Sequence, residues 1–198
     1  MDIRPQTTQT GFTLIELLMT IAIAAIVAML GIPSFQYVTN SNRIAGEVNG
    51  LLADLQFARA EAIKEGQNVT VCLSKMGAIC DTTGAAWQSG WIVFPNPAGS
   101  TTPAAGSILR IQSPFTNTDT FTAVPGFSAI TYNREGYAIG ILNGTLITLK
   151  NSGTENTAWT RCLSVSVNGM TQTARYNQTI NGQGTSTNGV AATGVPCV

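Results

Sequence analysis

The sequence contains no histidine. That absence removes the commonest metal ligand in proteins and the side chain that most often transfers protons near neutral pH. Zinc-dependent hydrolysis and nucleophiles activated by histidine are therefore excluded. The sequence also lacks a glycine-rich phosphate-binding loop and a paired-carboxylate signature. We therefore predict a protein that is not an enzyme and that needs no metal or other cofactor.

Charged residues are scarce as well. They make up 10% of the chain, against roughly 25% in a typical soluble domain. Ten basic and ten acidic residues balance to a formal net charge of zero, so the composition as a whole does not indicate a polyanion-binding surface. The apolar fraction of 44% is enough for a hydrophobic core, and 198 residues predict one ordinary domain with an additional element.

The four cysteines show no Cys-x-x-Cys spacing, which argues against a metal site. They fall into two local pairs, Cys72 with Cys80 and Cys162 with Cys197. In an oxidising compartment two disulfides are expected, and four cysteines allow three connectivities. We favour bonds within the local pairs, because each would close a segment rich in Gly, Ser and Thr and restrict its unfolded entropy. Free buried thiols are the alternative.

A long apolar run, Phe12 to Ile32, contains one charged residue, Glu16. Its length of about 21 residues, at a rise of about 1.5 Å each, can cross a bilayer core of about 30 Å. A cleaved secretory signal, with a processing region within Ala22–Ala25, is a second interpretation, and a plain membrane anchor is a third. Neither explains Glu16, because a carboxylate in the membrane costs roughly 2.5 to 3.5 kcal/mol and is normally retained for a partner.

The stretch Gly11-Phe12-Thr13-Leu14-Ile15-Glu16-Leu17, followed by Pro33, resembles the prepilin processing signature of type IV pilins and type II secretion pseudopilins. In that family a membrane peptidase cuts after the glycine and methylates the new N-terminus. The resemblance implies that Gly11 ends the leader and that Phe12 is the first, methylated residue. It also implies that Glu16 pairs with the positive N-terminus of a neighbouring subunit, because opposite charges in a low dielectric offset each other's desolvation.

Beyond Pro33 the helical pattern continues to about Glu65, and Gly66 is a natural helix stop. One face repeats at three- and four-residue steps, which predicts packing against a domain. Its residues are Ile44, Val48, Leu51, Leu55, Ala58 and Ala62. Pro33 predicts either a kink or, by resemblance, lost helical order within a filament. The predicted organisation is a leader at 1–11, an assembly helix at 12–33, an amphipathic helix at 34–66 and a β-rich domain at 67–198.

The segment Phe57–Ser74, "FARAEAIKEGQNVTVCLS", is similar to the junction of helix and first strand in the GspH/FimT group of minor pilins and minor pseudopilins. Within it we interpret Arg59 and Glu61 as solvated or interface charges rather than as ligands. Downstream, the hydrophobic pattern changes to period two, with turns between the strands. Seven strands are predicted: "NVTVCLS", "GWIVFP", "SILRIQ", "AITYN", "GYAIGIL", "TLITLK" and "TRCLSVSV".

One long helix followed by strands predicts an α+β fold, with a mainly antiparallel sheet packed on the second half of the helix. Trp87, Trp91 and Phe94 are expected in the core or at a sheet edge, with a ligand-stacking platform as the alternative. The C-terminal tail from Asn177 is rich in Gly, Thr and Asn, and Cys197 would fasten its end to the strand of Cys162.

The resemblance implies a minor pilin that helps to start a type IV pilus and lies at or near its tip. Before assembly it would be a single-pass inner-membrane protein with its globular domain in the periplasm, and afterwards part of the filament at the cell surface. Its expected partners are the major pilin, other minor pilins, the prepilin peptidase and the inner-membrane assembly platform. A minor pseudopilin of a type II secretion system is an alternative with the same N-terminal chemistry.

DNA uptake is a further alternative. Some transformation-related members of the group carry a C-terminal Gly-Arg-x-Arg motif, whose guanidiniums bind phosphates. The corresponding segment here, Asn168–Gln172, keeps the glycine and lacks both arginines. Arg175, Arg161 and Lys150 are the remaining candidate DNA contacts. Because these few cations would neutralise only a few phosphates, the expected affinity for DNA is low. DNA binding therefore ranks below a structural role.

Overall fold

The computed structural model of the chain describes residues 11–84, 86–116, 119–124, 126–141, 145–151, 159–175, 179–180 and 195–197. It comprises two compact units, Met1–Asn40 and Ser41–Val198. The expected leader, 1–11, lies outside the described residues apart from Gly11. Most of the tail from Asn177 lies outside them as well.

A single α-helix, α1, runs from Leu14 to Glu65. It ends as predicted, because Gly66 has a φ of +64°, a left-handed conformation that glycine adopts without steric cost. The helix continues through Pro33, although proline removes one backbone hydrogen bond from a helix interior. Within this chain the Pro33 region is therefore helical on both sides.

The Ser41–Val198 unit has its core on the predicted face of α1. All six predicted positions are buried, none with more than 3% of its surface exposed. They pack with apolar residues from the strands in one continuous cluster. The period of 3.6 residues therefore identified the buried face correctly, because only that face of this part of the helix has apolar side chains at every turn.

Among the described residues, eleven strands follow α1. In chain order they are β1 Val69–Leu73, β2 Trp91–Pro95, β3 Arg110–Gln112, β4 Asp119–Val124, β5 Ala129–Tyr132, β6 Ala138–Ile139, β7 Thr145–Asn151, β8 Arg161–Val165, β9 Thr171–Arg175, β10 Thr179–Ile180 and β11 Val195–Pro196. A short 3₁₀-helix, Trp87–Ser89, precedes β2. All seven predicted strands are present, whereas β4, β9, β10 and β11 were not predicted.

The strands form two larger sheets and one two-stranded sheet rather than a single sheet. The first sheet has the order β3-β2-β1-β5-β6 and the second the order β4-β7-β8-β9, while β10 pairs with β11. All of these pairings are antiparallel. The main-chain amide of Ala138 in β6 donates to the carbonyl of Val167, just beyond β8, at 2.9 Å. That bond links the edge strand β6 of the first sheet to the end of β8 in the second sheet.

The three predicted core aromatics are buried: Trp87, Trp91 and Phe94 each expose at most 1% of their surface. They therefore belong to the core and do not form a surface stacking platform. The indole Nε1 of Trp91 donates to Asp54 Oδ2 at 2.8 Å. Arg110 Nη1 of β3 donates to the other oxygen of Asp54, also at 2.8 Å. Asp54 thus ties α1 to the first sheet.

Candidate assembly segment and candidate anion-binding cleft

The first turn of α1 is capped by Thr13. The main-chain amide of Glu16 donates to Thr13 Oγ1 at 3.3 Å, and that of Leu17 donates to the Thr13 carbonyl at 3.1 Å. This is the arrangement of a helix N-cap, with an acidic residue at the third helical position, where the helix dipole favours negative charge. Gly11 and Phe12 precede the helix and are exposed. The Gly11–Phe12 bond, the expected processing position, therefore lies outside the helix.

The apolar part of α1 has no partner among the described residues. Every large apolar side chain between Leu14 and Ile32 is about half exposed or more. The helix is long and apolar enough to cross a membrane, and none of its most apolar window is buried. A helix that is apolar all round needs a membrane or other helices as its surroundings. Glu16 is the one charge in this segment.

Two of the three candidate DNA contacts are neighbours in the second sheet. Arg161 of β8 and Arg175 of β9 are directly opposite each other in the antiparallel register. The third candidate, Lys150, lies in β7, which is between β4 and β8 in the second sheet. Its backbone pairs with that of Thr120 in β4. The structure therefore brings together Arg161 and Arg175, whereas Lys150 lies one position beyond Leu149, the residue of β7 that is opposite Arg161.

Arg161 and Arg175 line a cleft of about 200 Å³ between α1 and the strands β8 and β9. The helix contributes Ala45, Val48 and Asn49 to this cleft. Arg161 is half-buried, with Nη1 donating to the Thr160 carbonyl at 3.1 Å and Nη2 to Ser41 Oγ at 3.5 Å. Arg175 is exposed. The cleft thus contains the guanidinium of one half-buried and of one exposed arginine.

Arg59 is an interface charge, one of the two interpretations from the sequence, and the structure identifies its partners. Its Nε donates to the Gly136 carbonyl at 3.0 Å, and its Nη2 donates to the Asn168 carbonyl at 3.4 Å. Gly136 follows β5 and Asn168 follows β8, so one side chain of α1 joins turns from both sheets. These partners are 77 and 109 positions away in the chain, and no local pattern could have identified them.

The turn that corresponds to the DNA-binding motif, Asn168–Gln172, connects β8 and β9. Asn168 Oδ1 accepts hydrogen bonds from the Ser166 hydroxyl and from the main-chain amide of Met170, which shape the turn. Met170 is 50% exposed, and its sulfur accepts a weak contact from Arg59 Nη1 at 3.5 Å. The turn therefore presents a thioether where the motif would present guanidinium groups.

Two disulfides are present, Cys72–Cys80 and Cys162–Cys197, in the pairing that we favoured from the sequence. Cys162 and Cys197 are buried together with Ala174 of β9 on one face of the second sheet. The second disulfide therefore fastens the end of the tail to β8. Cys72 is buried against Ile92 and Phe94 of β2, and Cys80 lies partly buried beside them.

A helix with a capped, acidic first turn and an exposed apolar first half, continuing into an α+β unit, is the architecture of a pilin-like subunit. The profile described as Prokaryotic N-terminal methylation motif matches residues 7–32. The profile described as Type II transport protein GspH matches residues 47–169, more than half of the chain, and the chain belongs to this family. It is a minor pilin or pseudopilin, as the resemblance of Phe57–Ser74 predicted.

Among solved structures, the chain is similar to the type IV minor pilin FimU of Pseudomonas aeruginosa strain PAO1. One crystal form aligns with a TM-score of 0.52 and 20% identity over 71% of this chain and 92% of FimU. The other gives a TM-score of 0.49 and 20% identity over 67% and 91%. The first match confirms the predicted α+β pilin fold. No significant match was found among curated protein sequences.

Proposed function

We propose that the chain is a minor pilin of a type IV pilus that helps to initiate filament assembly and lies at or near the filament tip. In this proposal a prepilin peptidase cleaves after Gly11 and the new amine of Phe12 is methylated. Residues 12–33 hold the protein in the inner membrane, with the globular unit in the periplasm. During assembly the carboxylate of Glu16 pairs with the Phe12 amine of an adjacent subunit.

The observation that carries this proposal is the isolated charge of Glu16 within an exposed apolar helix that matches the methylation motif. A carboxylate costs roughly 2.5 to 3.5 kcal/mol in a membrane helix. Two opposite unit charges about 4 Å apart attract by about 4 kcal/mol at an effective dielectric constant of 20. Pairing with an amine in a filament can therefore offset the free-energy cost of the Glu16 carboxylate in the membrane. This gain is a driving force for the subunit to leave the membrane.

The proposed partners follow from this chemistry. The exposed apolar surface of 12–33 would pack against the corresponding helices of the major pilin and of other minor pilins. The prepilin peptidase and the inner-membrane assembly platform would act on the membrane form. The α+β fold that the chain shares with FimU, a type IV minor pilin, supports its assembly as a pilin-like subunit.

The test replaces Glu16 with glutamine, which keeps the side-chain shape and removes the charge. We expect Glu16→Gln to remain in the membrane fraction at normal abundance but to be strongly depleted from sheared filaments. Thr20→Val is the matched control, because it replaces an uncharged polar side chain of the same helix segment. The Thr20 hydroxyl donates to the Leu17 carbonyl of its own helix at 2.8 Å. Equal incorporation of Glu16→Gln and Thr20→Val would contradict the proposed pairing. The intact mass of the mature chain, with residues 1–11 lost and one methyl group gained, tests the processing step.

A minor pseudopilin of a type II secretion system is the second candidate, and the description of the matching family profile favours it. The two candidates differ in the machine that fails when the gene is deleted. Loss of piliation with normal protein secretion supports the pilin. Loss of secretion with normal piliation supports the pseudopilin.

DNA binding is the third candidate, and the juxtaposition of Arg161 and Arg175 favours it. A gel shift of the purified full chain in mild detergent tests it, with Arg175→Ala as the variant. Binding at moderate salt that Arg175→Ala abolishes would support a role in DNA uptake. Arg134→Ala is the control, because Arg134 is an exposed arginine outside the cleft.

A further inference from the structure

A groove of about 350 Å³ lies between the C-terminal part of α1 and the turn that joins β8 to β9. Arg59 and Ile63 of α1 line one side of this groove, and Met170 of the turn lines the other. Met170 is 50% exposed, so small solutes can reach its side chain. The groove therefore places an accessible thioether beside a guanidinium group.

The backbone of Met170 is held in place, whereas its side chain borders open space. The main-chain amide of Met170 donates to Asn168 Oδ1 at 3.1 Å, and its carbonyl accepts from the main-chain amide of Ser166 at 2.9 Å. A methionine side chain has three rotatable bonds and adapts to irregular surroundings. A chemical change at the sulfur can therefore be accommodated by the side chain without moving the turn.

Arg59 has a hydrogen-bonding capacity that its partners do not exhaust. A guanidinium group carries five N–H donors. Its contacts are those of Nε with the Gly136 carbonyl at 3.0 Å, of Nη2 with the Asn168 carbonyl at 3.4 Å and of Nη1 with the Met170 sulfur at 3.5 Å. The last contact is the weakest, because a thioether is a poor acceptor. The ion pairs between described residues involve other side chains, so no carboxylate among them neutralises Arg59.

An oxygen atom on the Met170 sulfur would be a much better acceptor for this guanidinium. Oxidation of a methionine gives a sulfoxide, which is polar and normally disrupts an apolar core or interface. Beside Arg59 the oxygen instead gains a charged donor, and charge-assisted hydrogen bonds are about twice as strong as neutral ones. The open groove gives the sulfur room to shift as the oxygen is added.

We propose that Met170 is an oxidation site, and that its sulfoxide accepts a hydrogen bond from Arg59 and strengthens the contact between α1 and the turn. The oxidant is hydrogen peroxide. A lone pair of the sulfur attacks one peroxide oxygen, the O–O bond breaks as the S–O bond forms, and a proton moves to the departing oxygen, which leaves as water. The thioether loses the two electrons that the peroxide gains. Methionine sulfoxide reductases return such a group to the thioether.

Met76 provides a control within the same unit. From Ser41 onward the sequence contains two methionines, Met76 and Met170. Met76 is 81% exposed and lies in the loop that the Cys72–Cys80 disulfide closes. Its sulfur makes no hydrogen bond with another described residue. Oxidation of Met76 is therefore expected to leave the stability of the unit unchanged. The inference rests on contacts within this unit and does not depend on the proposed function.

The test compares two variants of the full chain in mild detergent, each before and after complete oxidation by hydrogen peroxide, which peptide mass spectrometry verifies. Met76→Leu leaves Met170 as the oxidisable methionine of the unit, and Met170→Leu leaves Met76. Both variants keep Met19 and Met29, so oxidation of the apolar helix contributes equally to the two. Near-ultraviolet circular dichroism gives the Tm. Oxidation should raise the Tm of Met76→Leu by about 2 to 4 °C, the shift that one additional hydrogen bond gives in a unit of this size, and that of Met170→Leu by less than about 1 °C.

The variant Met76→Leu/Arg59→Ala tests the partner of the sulfoxide. Each oxidised form is compared with its own untreated form, so the stability lost with Arg59 cancels, and the gain in Tm should be absent. A gain that persists without Arg59 would refute its role as the donor. If this variant does not fold, the two methionine variants decide: a fall in Tm on oxidation of Met170, or equal changes in both, would overturn the inference. Resistance of Met170 to peroxide that fully oxidises Met76 would also overturn it.

Discussion

Two glycines with nearly the same backbone conformation should respond very differently to alanine. Gly169 has a φ of +77° and Gly140 a φ of +79°, both in the left-handed region that costs an L-residue about 1 to 2 kcal/mol. A Cβ at Gly140 would meet no atom within 4 Å. A Cβ at Gly169 would lie far inside van der Waals contact of the Gly136 carbonyl oxygen, and 3.0 Å from Arg59 Nε.

The difference between these two sites gives the expected magnitude. Gly140→Ala carries only the conformational cost, about 1 kcal/mol. Gly169→Ala carries that cost and also displaces a backbone carbonyl, and overpacking of this kind adds about 1 to 3 kcal/mol. We therefore expect about 3 kcal/mol in total for Gly169→Ala. Because the Gly136 carbonyl accepts from Arg59, the displacement also disturbs the contact between α1 and both sheets.

Thermal unfolding of the full chain in mild detergent, followed by near-ultraviolet circular dichroism, measures both effects. For a unit of this size about 1 kcal/mol lowers Tm by about 2 to 4 °C. Gly140→Ala should therefore lower Tm by about 2 to 4 °C and Gly169→Ala by roughly 6 to 12 °C. Equal shifts for the two variants would refute the close packing of the Gly169 and Gly136 turns.

Three further predictions concern the same unit. Arg59→Ala should cost about 2 kcal/mol, because the Gly136 and Asn168 carbonyls lose a charged donor, and Arg59→Lys should recover only part of this in denaturant melts. The Cys162–Cys197 disulfide, with a separation of 35 residues, should contribute about 4 kcal/mol to the free energy of unfolding, and Cys72–Cys80, with a separation of 8, about 2.6 kcal/mol. Cys162→Ser/Cys197→Ser should therefore lower the denaturation midpoint more than Cys72→Ser/Cys80→Ser. Burial raises the pKa of Tyr132 above its ordinary value of 10, so the unfolded state loses this proton first and stability should fall as the pH rises above 10. Tyr132→Phe should remove that part of the decline in alkaline unfolding curves at a cost of less than about 1 kcal/mol at neutral pH, since its hydroxyl has no hydrogen-bond partner among the described residues.

The helix was predictable because its sequence pattern is local and strong. Residues from Ile44 to Ala62 repeat at helical spacing, and the structure buries that face. Gly66 marks the end of the helix by its conformation, which is a property of one residue. The pattern also separates the two halves of the helix, because apolar residues surround the first half and follow one face of the second.

The second sheet was only partly predictable. Strand β9, Thr171–Arg175, has a single buried residue, Ala174, because it forms the edge of its sheet. An edge strand with one buried side chain shows no alternation of polar and apolar residues for a pattern to detect. Strand β4 does bury Phe121 and Ala123, yet its threonines and the neighbouring asparagine gave a weaker hydrophobic signal than the other strands of the sheet.

The arginines of the globular unit have different surroundings, and these surroundings indicate different roles. At the turn after β8, where a DNA-binding relative would present guanidiniums, the nearby guanidinium of Arg59 donates to the carbonyls of Gly136 and Asn168 and contacts the sulfur of Met170. That cation holds the fold together. Arg161 and Arg175 instead line a cleft with the first helical turns of the unit, close in sequence to the membrane segment. Recognition of phosphate through Arg161 and Arg175 is therefore expected in the cleft between α1 and the strands β8 and β9 rather than at the turn between β8 and β9.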